Sequence, residues 1–468
     1  MFRRTFLAST AAFSLQAAPK LNVIIILADD LGTGDVACYS REAKVRTPHL
    51  DKLSRQGMRF TDAHSPSSVC TPTRYGLLTG RYSWRSRLKS GVLNGYSPNL
   101  IEDGRPTLPS LFQKNGYRTG GFGKWHLGLG TTDPTDYAKD LSPSPLNLGF
   151  DEYFGIPASL DMPPYLYFDG KRAVAQPTNK IADNGEVKRG PYYRGGPIAP
   201  GFLMEEVMPR ITERAINFVQ KPGPFFCYVP LPAPHTPWVP TKAFQGRSPA
   251  KLYGDFVEQV DDSIGRIVNA VDTSNTLVIV TSDNGAPWEK RDMEENGGQW
   301  ANLMMRGQKS DAYEAGHRVP FIVRWPGKVK PATVSNAPIC HTDLFATCCT
   351  AAGIPIPKDA AEDSFPIQPA LAGKQGPTTV RPHLIHHSGS GLFAIREGRW
   401  KLIEGLGSGG FTAPAKITPQ PGGPQGQLFD IIADPNERED IYLKHPDQVA
   451  RLTKLLNELR DQGRTRPA

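Results

Sequence analysis

Two apolar, β-branched runs constrain the fold of this 468-residue chain more than any other feature. Residues 21–28 read Leu-Asn-Val-Ile-Ile-Ile-Leu-Ala and residues 276–281 read Thr-Leu-Val-Ile-Val-Thr, neither showing polar alternation. A strand that is apolar all round must be covered on both faces, which is the situation inside a parallel sheet flanked by helices. Each run stops abruptly, the first at Asp29-Asp30-Leu31-Gly32 and the second at Ser282-Asp283-Asn284-Gly285. Doubly wound α/β sheets form their sites outside the carboxyl ends of the strands, so both acidic turns are expected on one rim.

Further segments fit the same α/β pattern. Residues 47–57 read as a helix with Pro48 at its start and Gly57 at its end. Residues 225–229 and 321–325 read as strands. The stretch from about 155 to 200 is rich in Pro, Gly, Tyr and Asp and has no period, so it is expected to be an insertion or loop region. Near residue 376 the texture changes. Strand candidates at 392–396 and 399–403 flank a Glu397-Gly398 turn, a Gly/Pro-rich loop covers 405–426, and residues 427–430 with an amphipathic helix over 445–462 close the chain. The length suits two domains: a large α/β domain over residues 19–375, with a mostly parallel central sheet between helices, and a C-terminal α+β subdomain over 376–468 with an antiparallel sheet and one helix.

Composition excludes several classes. The net charge of +8 is spread without a block of five or six Lys/Arg, which argues against a dedicated nucleic-acid domain; the scattered charges are either a solvated surface or an attraction for polyanions. No stretch of about 20 apolar residues follows the N-terminus, so no membrane span is expected. Residues 1–18 place Arg3 and Arg4 before a short apolar run and end in small residues, as signal peptides do, and the paired arginines fit either a twin-arginine or an ordinary secretory leader. The expectation is an exported protein, periplasmic or secreted. Six irregularly spaced cysteines without a C-x-x-C pair form neither a disulfide framework nor a thiolate zinc site.

Asp29, Asp30, Asp283 and Asn284 supply four oxygen donors from two strand ends, a set that suits calcium or magnesium better than zinc. Adjacent aspartates also cap helices and turns. Two such ends on one rim favour a cation, which relieves the repulsion between neighbouring carboxylates.

Residues 67–81 contain Cys70-x-Pro72-x-Arg74 followed by Leu78-Thr79-Gly80-Arg81. This pattern resembles the signature of the formylglycine-dependent (type I) sulfatases of the alkaline-phosphatase-like superfamily, with Thr73 where Ser is commoner. Three further blocks are similar to that family in the same order: Gly123-Lys124-Trp125-His126-Leu127-Gly128, then Pro234-His235-Thr236-Pro237, then residues 307–320, in which Ala315 replaces a usual Gly. Leu428-Phe429-Asp430 with Asp434-Pro435 resembles the family's ending.

The resemblance implies an alkaline-phosphatase-like fold, a calcium ion on the four oxygen donors, and a Cys70 oxidised to formylglycine by a maturation enzyme. It further implies that Arg74 and Lys124 stabilise the aldehyde hydrate, that His126 is a base, and that His235 and Lys309 handle the sulfate and the leaving oxygen. Glu314, Arg318 and Pro320 are expected to pin their loop. The implied substrate is a sulfate monoester, either an aryl sulfate or a sulfated carbohydrate. The loop over residues 84–91 looks like that of sulfatases acting on galactose or N-acetylgalactosamine sulfates, where an exposed Trp84 would stack on sugar and Arg87 would pair with a second anion, unless both serve helix packing. Two competing readings are a phosphodiesterase or phosphonate hydrolase of the same superfamily and a catalytically silent sulfated-glycan binding protein. The second would show lost ligands or a replaced nucleophile, and neither is seen.

Overall fold

A computed structural model describes residues 19–185, 189–376 and 378–467; the leader-like segment 1–18 lies outside them. Among the described residues the main sheet has ten strands, in the order Thr333–Ser335, Met58–Phe60, Phe321–Arg324, Thr276–Ser282, Asn22–Asp29, Phe225–Pro234, Arg118–Lys124, Glu152–Ile156, Phe168–Asp169 and Arg172–Ala173. Its five central strands, Thr276–Ser282 through Glu152–Ile156, are parallel. Antiparallel strands extend it on both sides.

The two apolar runs pair directly, Val23 beside Leu277 through Ala28 beside Ser282. Val23 to Ala28 are wholly buried, as continuous hydrophobicity requires of a strand covered on both faces. Helices Pro48–Gln56, Val207–Val219 and Lys251–Asn269 pack with one another, and helices Cys70–Thr79, Leu108–Lys114 and Asp343–Ala352 form a second packed group. Strand Phe225–Pro234 runs five residues beyond its expected end, carrying three prolines. A proline removes a ladder donor, and the pairing register with Asn22–Asp29 does shift between Leu27 and Asp29, where Pro234 comes opposite Asp29.

Near the C-terminus an antiparallel sheet of strands Leu384–His387, Phe393–Glu397, Trp400–Ile403 and Gln427–Asp430 packs against helix Pro446–Asp461. Leu452, Leu456 and Leu459 recur on one helix face and bury against Leu384, Ile395 and Leu402. Gly398 turns the hairpin with φ 57°, a left-handed conformation that favours glycine.

Trp84 serves packing, one of the two roles that the sequence left open. It is 7% exposed, lies within the same core as those leucines, stacks on Tyr82 and meets Phe393 edge to face, so it offers no surface to a sugar. Arg87 donates to the Pro98 and Asn99 carbonyl oxygens. Ala315 lies in the helical turn Glu314–His317 and is absent from the residues with positive φ, so its backbone has no need of glycine.

Candidate active site

Every candidate residue named from sequence comes from the carboxyl rim of the parallel strands or from a segment laid across it. Asp29 ends strand Asn22–Asp29, and Asp283 and Asn284 follow strand Thr276–Ser282. Lys124 ends strand Arg118–Lys124 with His126 two residues on, and His235 follows strand Phe225–Pro234. Cys70 opens helix Cys70–Thr79, and Arg74 lies one turn later on the same face. Thr73 donates its hydroxyl to the Ser67 carbonyl oxygen at 3.1 Å, a bond that a serine there could equally make.

Strain collects here. Asp30, His126 and Ser310 adopt positive φ of 66°, 55° and 77° without being glycine, and they flank or belong to the proposed chemistry. Such backbones cost energy and persist where the surroundings dictate them, most often at functional sites.

Three carboxylates and three cations interlock. Arg74 Nη2 reaches Asp283 Oδ2 at 2.7 Å and Asp29 Oδ2 at 3.6 Å, and Nη1 donates to the Lys124 carbonyl oxygen at 2.9 Å. Lys124 Nζ pairs with Asp29, and Lys309 Nζ with Asp30 at 2.7 Å. Burial opposes ionisation of Asp29, yet the charges of Lys124, His235, Arg74 and Lys309 outweigh it and hold the carboxyl well below the usual range. Asp283 moves the other way: burial and repulsion from Asp29 push it up to about 6.

The donor set fits a hard cation. Asn284 donates Nδ2 to Asp30 Oδ1 at 2.6 Å, which leaves its buried Oδ1 without a partner beside buried carboxylates. An unpartnered buried amide oxygen is costly, and a cation held with Asp29, Asp30 and Asp283 would satisfy it. Ligand atoms of Asp29, Asp30, Cys70 and His235 lie within 4.8 Å of one another, so Cys70 borders the same spot.

Cys70 Sγ sits 3.7 Å from Asp29 Oδ1, and burial pushes its thiol up to about 12. Without a metal this thiol stays protonated near neutrality and is a poor nucleophile as it stands. His126 Nε2 is 2.7 Å from the Leu93 carbonyl oxygen, which only accepts, so Nε2 carries the proton and Nδ1 keeps its lone pair. Burial, then the charges of Lys124 and Arg74, hold this imidazole well below its ordinary pKa and therefore neutral. Nδ1 is buried and has no partner. His235 Nδ1 donates to the Thr236 carbonyl oxygen at 2.6 Å, leaving Nε2 3.7 Å from Asp30 Oδ2.

A cavity of about 430 Å³ opens over this cluster, bordered by Asp30, Cys70, His126, His235 and Lys309. Arg74, Lys124, Asp29, Asp283 and Asn284 lie behind that wall. The rest of the lining includes Ser159, Asp161, Arg189 and Arg194, from the stretch whose sequence shows no period. Sequence reasoning missed these residues because nothing in their spacing marks them; the one signal was that a long aperiodic insertion in a compact domain is often functional.

A family profile described as "Sulfatase" matches residues 21–354, and one described as "N-sulphoglucosamine sulphohydrolase, C-terminal" matches residues 308–463. The N-acetylgalactosamine-6-O-sulfatase of Bacteroides thetaiotaomicron is 35% identical over 95% of this chain and 94% of its own. The N-acetylgalactosamine-6-sulfatase of Sus scrofa is 33% identical over 84% of this chain and 73% of its own. A solved sulfatase from work on glycosaminoglycan metabolism by Bacteroides thetaiotaomicron superposes with a TM-score of 0.84 at 34% identity, covering 95% of this chain and 100% of that one. With sequence and fold matching over almost the whole described length, the chain belongs to the sulfatase family and is a sulfuric ester hydrolase.

Proposed function

We propose that this sulfatase removes a sulfate ester from a sulfated glycan, with galactose or N-acetylgalactosamine 6-sulfate as the preferred unit, using formylglycine at position 70 and calcium on Asp29, Asp30, Asp283 and Asn284. The observation that carries the chemistry is the placement of Cys70 at a helix start, 3.7 Å from Asp29, at the edge of a cavity also bordered by His126, His235 and Lys309. The 6-sulfated amino sugar is supported by the relatives at 35% and 33% identity, whose names specify it. Export is supported by the leader-like sequence at residues 1–18.

The side chains divide the work. A formylglycine at position 70 would supply, as its hydrate, the oxygen nucleophile that displaces the sugar oxygen from sulfur, with the buried carboxylates beside it to take up the proton it loses. His235, whose Nδ1 proton is engaged by the Thr236 carbonyl oxygen, would protonate the departing oxygen from Nε2 as an imidazolium. Lys309 offers positive charge to the sulfate from the cavity wall, and Arg74 and Lys124 neutralise Asp29 and Asp283 from behind. His126 Nδ1, unprotonated and without a partner, would take the proton of the second hydroxyl as sulfate is released. Calcium held by Asp29, Asp30, Asp283 and Asn284 would supply Lewis-acid charge to the reaction.

Sulfate release from defined oligosaccharides that differ in sugar and sulfate position is the deciding experiment. Turnover of 6-sulfated galactose or N-acetylgalactosamine units is expected. Faster turnover of aryl phosphate diesters than of any sulfate ester would overturn the reading.

A further inference from the structure

Three polar atoms bordering the cavity are buried without a hydrogen-bond partner: His126 Nδ1, Ser159 Oγ and Asp161 Oδ1. The reaction uses the first and leaves the other two unexplained. Ser159 and Asp161 are 2% and 3% exposed, and buried polar atoms left unpaired are costly enough that most have a partner. We propose that Asp161, with Ser159 and Arg194, reads hydroxyl groups of the sugar ring that bears the sulfate and so decides which sugar is accepted. This assignment rests on the substrate being a sulfated sugar.

The chemistry matches a hydroxyl rather than another ligand group. A carboxylate only accepts, a guanidinium only donates, and a serine does both, so together they can meet vicinal hydroxyls that donate and accept. The group is also held ready. Arg194 pairs through Nη1 with Asp161 Oδ2, and the Asp161 carbonyl oxygen accepts from the Arg194 amide at 3.1 Å and from the Tyr165 hydroxyl at 3.0 Å. Oδ1 is thereby fixed with its lone pairs unused, and a fixed acceptor loses little entropy when a substrate hydroxyl arrives. Trp238 and Trp288 line the same cavity and provide the apolar surface that the C–H face of a sugar needs.

Asp161 Oδ1 also lies 3.9 Å from His235 Nδ1, which raises a different role, orientation of that imidazole. Nδ1 already donates to the Thr236 carbonyl oxygen at 2.6 Å, so its proton is engaged elsewhere. The two roles separate experimentally. The test measures kcat/KM for wild type, Asp161→Asn and Ser159→Ala on a 6-sulfated galactosaminide and on its analogues that each lack one ring hydroxyl.

Wild type is expected to lose roughly 10- to 100-fold on one analogue, because the partner atoms are left unpaired. Asp161→Asn is expected to lose a similar factor on the parent sugar and almost nothing further on that same analogue. Ser159→Ala should show the same pattern with a smaller factor on that hydroxyl or its neighbour, which keeps the test decisive if Asp161→Asn folds poorly. An equal loss on every analogue would mean that these residues act through His235 or through folding, and would overturn the assignment while leaving the proposed function standing. No sulfate release by wild type from any sulfated sugar would instead remove the proposed function, and the assignment with it.

Discussion

Arg74 joins the two acidic strand ends of this sulfatase, with Nη2 2.7 Å from Asp283 and 3.6 Å from Asp29. All three side chains have no solvent exposure, so the guanidinium is the counter-charge that lets two repelling carboxylates share one site. Its planar fork also reaches the Lys124 carbonyl oxygen, a geometry that an ammonium cannot copy.

Arg74→Met should therefore destabilise the metal-free protein by about 3–5 kcal/mol, the usual cost of stranding buried charge. Chemical denaturation with and without calcium checks this. Added calcium is expected to recover part of the loss, because the cation replaces positive charge at the same carboxylates.

Chelation should lower both activity and melting temperature, and calcium should restore them. At a calcium concentration of 100 times Kd, binding to the folded state alone adds about 2.7 kcal/mol. Asn284→Ala removes an oxygen with no other partner, so it should weaken calcium binding and shrink the calcium-dependent shift in melting temperature.

Lys309→Ala leaves Asp30 without its 2.7 Å partner and removes a cation from the cavity wall. The expected loss is about 10²–10³-fold in kcat, as for removal of one charge-stabilising donor, with KM changing less. Steady-state kinetics on the preferred sulfate ester measures it.

How far all this was legible from sequence differs by element. The strand over residues 22–29 and its partner over 276–282 could be read almost to the residue, because burial on both faces writes itself as unbroken β-branched sequence. Helix Pro446–Asp461 was equally plain, its leucines marking one face. The fate of Trp84 stayed open in the sequence between sugar stacking and packing, and the second core that receives it decides for packing. Asp161 and Arg194 could not be found at all. They meet through folding of an aperiodic segment, and no local pattern records that pairing.

Buried histidines packed against the C-terminal sheet should make stability depend on pH, which no sequence pattern marks. Buried His64, His317 and His386 cluster there, with His64 Nδ1 3.0 Å from His317 Nδ1 and the His317 and His386 rings stacked at 3.9 Å. Burial, reinforced for His317 and His386 by neighbouring charges, holds all three below the ordinary value of 6.5, so they stay neutral in the fold. The unfolded chain binds more protons below that value. Their contribution to stability is thus complete above about pH 6.5 and is lost as pH falls, by up to about 1.4 kcal/mol per pH unit for each histidine. Melting temperatures between pH 7.5 and 5 should show the decline, and His386→Phe should make it shallower while keeping the stack.

From the C-terminal sheet Lys401 Nζ bridges Glu437 at 2.7 Å and Glu314 at 3.0 Å, with none of the three side chains exposed. Lys401→Met strands two buried carboxylates and should cost about 3–5 kcal/mol. The neighbouring strand end also holds the nucleophile's approach, since the His387 carbonyl oxygen accepts from the Ser68 amide at 3.1 Å. A denaturation midpoint shifted as expected, together with a fall in kcat, would tie the C-terminal sheet to the placement of Cys70.

The proposed chemistry requires residue 70 to act as an aldehyde and not as a thiol. Mass spectrometry of the peptide containing residue 70, taken from a preparation whose sulfatase activity has been measured, tests it directly. Formylglycine is expected in proportion to activity, and Cys70→Ala is expected to be folded but inactive. Full activity from protein whose Cys70 thiol is intact would contradict it.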